Sequence, residues 1–448
     1  MHLVTAARVL VLSALLAHGL GRGLAASTPS PPDGSTLVSE LGCAACHGGV
    51  GDPELIRSRA PGFGPGAPLL PAAFVFSYLE DPQRRRPDIG SSRMPDFGLD
   101  EGERLALALL LGTPDGDAAL TEARSRHPDV DAETGRRVFG ALGCAGCHDG
   151  IAGASNVPAP DLSREGARAL PAWLSGYLTA PTPVRGEGHP DLRGARMPDF
   201  RLTPEEVEAL STHLQGLGSG FASLDEAPLT TFETRRTERL VENRLACMGC
   251  HRIGERGGEI GPSLDGVSLR RRPSFILEML LDPQRAAPGA PMPHQPLQPR
   301  EASRLARYLL TFPEMGPDRT HTSLADAGRL VWTIPSTSTS PGEALYQRHC
   351  AACHGAEGRG DGWNAPNLPV PPAPLADATL MGQRPDDTLY DGISAGAWVL
   401  DGSPRMPAFG GLLSPSEIQS LVTYIRTLCE CQGPAWSSDG STRGSGDR

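Results

Sequence analysis

The chain has 448 residues, a net charge of −11 at pH 7 and 41 basic residues, all of which are Arg. This acidic balance argues against a nucleic-acid-binding protein, and the lack of Lys excludes a lysine-rich docking ring for an acidic partner. Hydrophobic residues make up 39% of the sequence, beside 54 Gly and 44 Pro, which favours several small domains over one large side-chain core.

The first 26 residues have the pattern of a secretory signal peptide. Arg8 is followed by an apolar run at 9–17 and then by small residues up to Ala25 and Ala26, where we expect cleavage. An uncleaved anchor is the alternative, although the run is short for a membrane span. No later segment is apolar for long enough to cross a bilayer, so we predict a periplasmic or otherwise exported protein with no membrane span after cleavage.

The motif Cys-x-x-Cys-His occurs four times, and its first cysteines are 101, 103 and 103 residues apart. A period of this length indicates tandem domains of one design. The four copies occupy residues 43–47, 144–148, 247–251 and 350–354. Around them we predict domains at 27–118, 127–220, 229–315 and 336–432, after the signal peptide at 1–26 and before a disordered tail at 433–448.

This motif is the attachment signature of c-type haem. Two thiols separated by two residues reach the two vinyl groups of one porphyrin, and the adjacent imidazole becomes the proximal iron ligand. We therefore predict four covalent haems with iron; zinc or dithiol chemistry is the alternative, but no further Cys or His recurs as a fourth zinc ligand. The predicted attachment residues are Cys43, Cys46, Cys144, Cys147, Cys247, Cys250, Cys350 and Cys353. The predicted proximal ligands are His47, His148, His251 and His354.

A Met-Pro step follows every motif, 41 to 52 residues beyond its histidine. A thioether is a soft neutral ligand for the sixth iron position, and the following proline stiffens the loop. The predicted sixth ligands, each paired with the histidine of its own repeat, are Met94, Met197, Met292 and Met406. The third copy has the shortest spacing and lacks the flanking Arg and Phe, so His294 or an open iron site competes with Met292 there.

The sequence pattern of each repeat also predicts three helices, one before the motif, one in the middle and one after the Met-Pro step. A loop proline after each motif, namely Pro61, Pro160, Pro262 or Pro366, offers a carbonyl to the second ring nitrogen of the proximal histidine. Capping boxes are expected at 203–206 and 414–417. The predicted helices are 35–41, 72–80, 101–111, 133–142, 170–179, 237–245, 273–281, 300–310, 342–349 and 385–393, with closing helices after the two capping boxes.

Some residues have no place in the repeat. The arginine clusters at 84–86 and 270–272 are candidates for haem propionate or partner contacts, or are solvated helix ends. Cys429 and Cys431 remain after eight cysteines are assigned. They form a strained or intermolecular disulfide, or serve as a metal or regulatory thiol site.

With these motifs the sequence resembles the class I cytochrome c family over roughly residues 30 to 430. The resemblance implies a mostly α protein with four tandem cytochrome c-like helical domains, each wrapped around one covalent haem. The motifs that carry this resemblance are highly specific for haem attachment and moderately specific for the distal methionines.

The function implied is electron transfer, because His and Met would fill both axial positions of each iron. We predict a carrier of single electrons between redox partner proteins rather than a catalytic oxidoreductase. The alternatives are a haem oxidoreductase or peroxidase with one open iron site, best sought in the third repeat, and an electron-accepting subunit of a dehydrogenase. The sequence identifies neither the donor and acceptor nor the oligomeric state.

Overall fold

The structure, a computed structural model, describes residues 33–52, 60, 62–63, 70–82, 94–148, 159–181, 197–225, 227–295, 297–313, 340–400 and 402–434. These residues belong to one compact unit. The predicted signal peptide, Pro61, the arginines at 84–86 and residues 435–448 of the predicted tail lie outside them. In this part of the chain no helix is long and apolar enough to cross a membrane.

The predicted mostly α fold is confirmed. We number the repeats by their motifs and name three helices in each. The leading helices, before the motifs, are Gly34–Glu40, Ala132–Ala141, Thr231–Asn243 and Pro341–His349. The middle helices are Ala72–Tyr78, Pro171–Thr179, Pro273–Leu281 and Asp386–Ala395. The closing helices are Glu101–Leu111, Pro204–Gln215, Pro299–Leu309 and Pro415–Leu428.

The remaining elements are short. Among the described residues, β1 (Leu70–Pro71) pairs in parallel with β2 (Gly112–Thr113), and β3 (Arg252–Ile253) pairs antiparallel with β4 (Arg256–Gly257). The shorter helices are Ala118–Arg126, Glu165–Arg168, Cys247–Cys250, Val267–Arg270, Pro283–Ala286, Ala351–His354 and Ala378–Gly382. Single 3₁₀ turns lie at Cys43–Ala45, Cys144–Gly146, Ala365–Asn367 and Ala397–Leu400.

Local capping explains where the helices begin. Both predicted capping boxes are present, at the second and fourth closing helices, and such a cap contributes about 1 kcal/mol. A further box between Thr230 and Glu233 starts the third leading helix six residues before the predicted start at 237. Ala118–Arg126 occupies the predicted gap between the first two domains, because Asp117 caps it and it buries Leu120.

The third and fourth repeats each bury their own three helices together. In the third, Val241, Ile276 and Leu305 come from the leading, middle and closing helices and share one core. In the fourth, the leading helix crosses the closing helix so closely that a Cβ on Gly342 would lie 2.2 Å from the carbonyl oxygen of Ser420. Glycine is therefore required at this crossing, because any side chain would push the two backbones apart.

The first two repeats exchange their leading helices. Leu37 and Val38 of the first leading helix are buried with Leu174 and Leu210, which belong to the middle and closing helices of the second repeat. The leading helix of the first repeat therefore completes the core of the second. We call the first and second repeats the exchanged pair.

The reciprocal core has the same composition. Val138 and Phe139 of the second leading helix are buried with Val75 and Leu105 of the first repeat's middle and closing helices. Each core of the exchanged pair thus receives one leading helix from the other repeat.

Both exchanged leading helices make the close crossing that the fourth repeat makes internally. A Cβ on Gly34 would lie 2.2 Å from the carbonyl oxygen of Ala209, and one on Gly135 would lie 2.1 Å from that of Ala106. Every one of these three crossings joins the backbones of a leading and a closing helix. Only the copy that supplies the closing helix differs.

The predicted domains 27–118 and 127–220 therefore differ from the two cores observed. One core combines residues around 37–50 with residues 162–217, and the other combines residues 63–142 with the start of the second motif. The helical period in the sequence identifies the apolar face of each helix. It does not identify which repeat supplies the helix that covers this face. The third and fourth cores lie within the predicted 229–315 and 336–432, apart from Leu224.

The second and third repeats are joined through arginines. The N–H of Arg272 donates to the carbonyl oxygen of Arg168 at 2.9 Å, and Nη1 of Arg271 lies 3.2 Å from Oε1 of Glu165. Two arginines of the predicted propionate or partner cluster at 270–272 thus make contacts between repeats.

We expect Gly135→Ala to destabilise the exchanged pair by about 1–3 kcal/mol, because the added methyl overlaps the Ala106 carbonyl. Gly176→Ala is the matched control, since that exposed helix position has nothing within 4 Å of an added Cβ and Ala favours helix by up to about 1 kcal/mol. Denaturant unfolding of the holoprotein measures both. Equal effects of the two substitutions would contradict the crossing.

Candidate haem sites

All four Cys-x-x-Cys-His motifs form the same tight turn. The histidine N–H donates to the carbonyl oxygen of the first cysteine in every copy. The distances are 2.8 Å for His47, 2.9 Å for His148, 2.8 Å for His251 and 2.9 Å for His354. In the first two copies the turn begins at a glycine with positive φ, Gly42 or Gly143. This short-range backbone hydrogen bond closes the turn that carries the two thiols and the imidazole.

Backbone carbonyls orient three of the imidazoles. Nδ1 of His251 lies 2.7 Å from the carbonyl oxygen of Pro262, as predicted. Nδ1 of His47 lies 2.9 Å from that of Pro160, which belongs to the second repeat. A carbonyl partner makes Nδ1 the protonated nitrogen and leaves Nε2 free to coordinate a metal.

Two acceptors differ from the prediction. Nδ1 of His354 lies 2.9 Å from the carbonyl oxygen of Ala373, not of Pro366, because Pro366 is taken up in the 3₁₀ turn Ala365–Asn367. The prediction paired His47 with Pro61, which lies outside the described residues, and His148 with Pro160, whose carbonyl oxygen instead lies beside Nδ1 of His47. The ring of Phe63, from the first repeat, lies 5.1 Å from the ring of His148.

Burial keeps the motif cysteines uncharged. It raises the pKa of Cys43 and Cys247 to about 11 and that of Cys144, Cys250 and Cys350 to about 12. Burial also lowers the pKa of His47 and His354, and their carbonyl partners act in the opposite direction. Such surroundings disfavour the thiolate that zinc binding or dithiol exchange requires. They suit the neutral thioether sulfur of an attached haem.

The methionine of each Met-Pro step packs against the same core as a motif cysteine. Met292 and Met406 lie on the third and fourth cores, together with Cys247 and Cys350 of their own repeats. His294 is exposed and lies against Gly411 of the fourth repeat. The structure therefore brings Met292, not His294, to the core that holds the third motif.

In the exchanged pair the methionines change partners. Met94 lies on the core that contains Cys144, and Met197 lies on the core that contains Cys43. This differs from the predicted pairing of each methionine with the histidine of its own repeat. The exchange of leading helices is the cause. Each motif directly follows its leading helix, so it lies at the core that this helix joins.

The two Met-Pro loops of the exchanged pair bind each other. The N–H of Asp96 donates to the carbonyl oxygen of Asp199 at 2.8 Å, and the N–H of Asp199 donates to that of Asp96 at 2.7 Å. Arg201 spans the junction, with Nη1 2.6 Å from Oδ1 of Asp81 and Nη2 3.0 Å from Oδ2 of Asp96. Reciprocal bonds of this kind relate the two loops by an approximate two-fold axis.

The motifs themselves meet in pairs. A Cβ on Gly146 of the second motif would lie 2.9 Å from the carbonyl oxygen of Ala45 in the first, so these two turns are in direct backbone contact. The third and fourth motifs meet through Asn364, which is fully buried. Its Nδ2 lies 2.9 Å from the carbonyl oxygen of Gly249 and 3.4 Å from Sγ of Cys353.

These residues fit haem c. Each described core brings together a motif cysteine, which could attach the porphyrin, and a methionine thioether, which with the motif imidazole makes the donor set of a His/Met haem. Within the described ranges, five buried side-chain N–H groups have no hydrogen-bond partner. They are those of Arg104 Nε, Arg168 Nη2, Arg272 Nε, Arg307 Nε and Trp363 Nε1. Donors of this kind suit an anionic carboxylate such as a haem propionate.

Sequence reasoning missed several residues around these sites. Asn364 carries no local signal, since its role depends on a turn 115 residues away. Arg201 adopts φ 48, where the first repeat has Gly98 at φ 57, and the loop alignment could have identified that position. Cys429 and Cys431 form a disulfide with each other within the chain, so the alternatives of an intermolecular disulfide and of a free thiol site do not describe them.

Comparison with known proteins gives matches at two places in the chain. The family profile described as "Cytochrome c" matches residues 132–218, and the profile described as "Cytochrome C oxidase, cbb3-type, subunit III" matches residues 337–425. The Cbb3-type cytochrome c oxidase subunit FixP of Sinorhizobium medicae is 32% identical over 97 residues, which are 21% of this chain and 31% of that protein.

Two other proteins are similar in part. The dihydro-heme d1 dehydrogenase of Pseudomonas aeruginosa is 32% identical over 114 residues, 25% of this chain and 20% of that protein. The matches thus span less than a third of either curated relative. A chain of a Kuenenia stuttgartiensis reducing HAO-like protein complex aligns over 46% of this chain and 99% of its own at 19% identity, but its TM-score of 0.17 supports no argument.

Both profile matches contain a Cys-x-x-Cys-His motif, a Met-Pro step and the leading, middle and closing helices of one repeat. The chain therefore contains cytochrome c domains in at least two places, residues 132–218 and 337–425, and domains of this family carry covalent haem c with iron.

Proposed function

We propose that this protein is an exported tetrahaem cytochrome that passes single electrons between redox partner proteins. The observation that carries the proposal is the repeated geometry of the motifs. All four have the same histidine-to-cysteine turn, and each has a methionine on the core beside it.

The eight motif cysteines would attach the four haems, and the four motif histidines and the methionines of the Met-Pro steps would ligate the irons. When bound, haem supplies a one-electron couple between ferrous and ferric iron. With the motif histidine and the Met-Pro methionine as ligands, each haem would supply this couple without leaving a place at the iron for a substrate. That arrangement favours electron transfer over reaction of a substrate at the metal.

Contacts between motifs support transfer within the chain. The first and second motifs touch at Ala45 and Gly146, and the third and fourth are joined by Asn364. The haems would therefore be arranged as two close pairs. The arginine contacts between the second and third repeats would connect one pair to the other.

The partners we propose are redox proteins outside the cytoplasm. Export is supported by the signal-peptide pattern at 1–26 and by the family's covalent haem. Similar domains are named as parts of an oxidase and of a dehydrogenase in the two relatives. A role as the electron-accepting subunit of a dehydrogenase would differ from a free carrier only in the partner.

We expect four haems per chain by mass spectrometry and by the pyridine haemochrome spectrum. Replacing both cysteines of any one motif with Ser should remove one haem, because each motif supplies both thioether bonds. Replacing Cys429 and Cys431 with Ser is the matched control and should leave all four in place. A wild-type chain with fewer than four haems would overturn the tetrahaem proposal.

Met292→Ala should convert one haem from low-spin to high-spin, because the third Met-Pro loop, which lies on the core with Cys247, then offers no thioether to the iron. His294→Ala should leave the spectrum unchanged, since that side chain is exposed beside the fourth repeat. Electron paramagnetic resonance of the oxidised protein separates the two results. A high-spin iron already present in the wild-type third domain would instead favour an enzyme with an open site.

Asn364→Ala should weaken the redox interaction between the third and fourth haems. The substitution leaves the carbonyl of Gly249 and the N–H of Glu259 without their buried partner, at a cost of about 1–3 kcal/mol in the free energy of unfolding. Spectroelectrochemical titration measures the interaction, and Asn367→Ala in the same 3₁₀ turn is the control. Unchanged titration curves for Asn364→Ala would show that the contact does not couple the haems.

A further inference from the structure

We propose that the first two haems are ligated across the repeats, so that the iron bound by His47 takes Met197 and the iron bound by His148 takes Met94. The inference rests on the proposed function, since it assumes haem at both motifs and methionine as the sixth ligand. Pairing by order along the chain would instead give Met94 to the first iron and Met197 to the second.

In the first two cores, the motif cysteine and the methionine come from different repeats. Met197 packs on the core that contains Cys43, and the middle and closing helices of that core come from the second repeat. Met94 packs on the core that contains Cys144, with helices from the first repeat. A sixth ligand must share a pocket with the motif that anchors its haem, and in both cores the motif and the methionine come from different repeats.

The contacts of the His47 and His148 rings support the same pairing of histidine and methionine. Nδ1 of His47 is oriented by the carbonyl oxygen of Pro160, 113 residues away in the second repeat. Phe63 of the first repeat packs against the ring of His148. Each proximal histidine therefore contacts the same repeat that supplies the methionine of its core.

The fourth repeat is an internal reference. There the glycine crossing, the motif cysteine Cys350 and Met406 all belong to one repeat. The same crossing occurs at Gly34 and Gly135, but with the closing helix of the other repeat. Because a closing helix directly follows its Met-Pro loop, exchanging the crossing exchanges the methionine as well.

Contacts at the approximate two-fold axis stabilise the exchange. The paired N–H to carbonyl bonds between Asp96 and Asp199 hold the two methionine loops side by side, and Arg201 binds Asp81 and Asp96 of the first repeat. Two haems in this arrangement form one structural unit. Neither site is complete until both repeats are folded.

The test counts methionine-ligated haems in the full-length holoprotein, using the near-infrared band of methionine ligation and the high-spin signal in electron paramagnetic resonance. His47→Ala removes one such haem while leaving Cys43 and Cys46 for attachment. In this background we expect Met197→Ala to remove no further methionine-ligated haem, because its iron is already lost. Met94→Ala should remove one more.

Pairing within repeats predicts the reverse, and that result would overturn the proposal. A further loss for both substitutions, or for neither, would also overturn it. Met292→Ala in the same background is the control and should remove one more haem under either pairing. The reciprocal background His148→Ala exchanges the expected roles of Met94 and Met197, and it provides the test if His47→Ala does not fold.

Failure of the proposed function is distinguishable. If Met94→Ala and Met197→Ala each leave the wild-type spectrum unchanged, methionine ligation itself is wrong in the first two sites. If each single substitution removes one methionine-ligated haem but the double variants follow the order of the chain, only the crossed pairing is wrong. Haem counts by mass spectrometry accompany every variant, so loss of attachment is separated from loss of a ligand.

Discussion

The close crossing of a leading helix over a closing helix is the contact on which this structure depends. At Gly34, Gly135 and Gly342 the two helix backbones meet with no room for a Cβ atom. Because each motif follows its leading helix directly, and each methionine loop directly precedes its closing helix, the crossing decides which cysteines and which methionine share a pocket. With the ligands that we propose, the choice of closing helix is therefore also the choice of iron ligands.

The cores around these crossings are small, and much of what lines them is neutral sulfur. Burial raises the pKa of the motif cysteines, so a free thiolate is disfavoured there, whereas a thioether carries no charge to desolvate. A covalent porphyrin would supply the apolar volume that a chain with 39% hydrophobic residues lacks. Attachment and folding are then the same event for each pocket.

Exchange also gives the chain two kinds of motif pair. The first and second motifs touch within an intertwined unit whose two halves cannot separate without unfolding. The third and fourth motifs belong to self-contained cores and meet through one buried amide, that of Asn364. In the proposed carrier, both kinds of contact would keep the two motifs of a pair close together.

The sequence by itself determined the local chemistry: the motif turns, the helices, the capping boxes at Thr203 and Ser414, and the Met-Pro loops. These features depend on residues only a few positions apart, so pattern and spacing are sufficient to identify them. Tertiary structure decided which copies combine. Pro160 serves His47, Ala373 serves His354, and Met94 lies beside Cys144. Equivalent helices of the repeats have similar apolar faces, so the sequence pattern fits more than one pairing of helices. Only the packed structure shows which repeat each helix packs against.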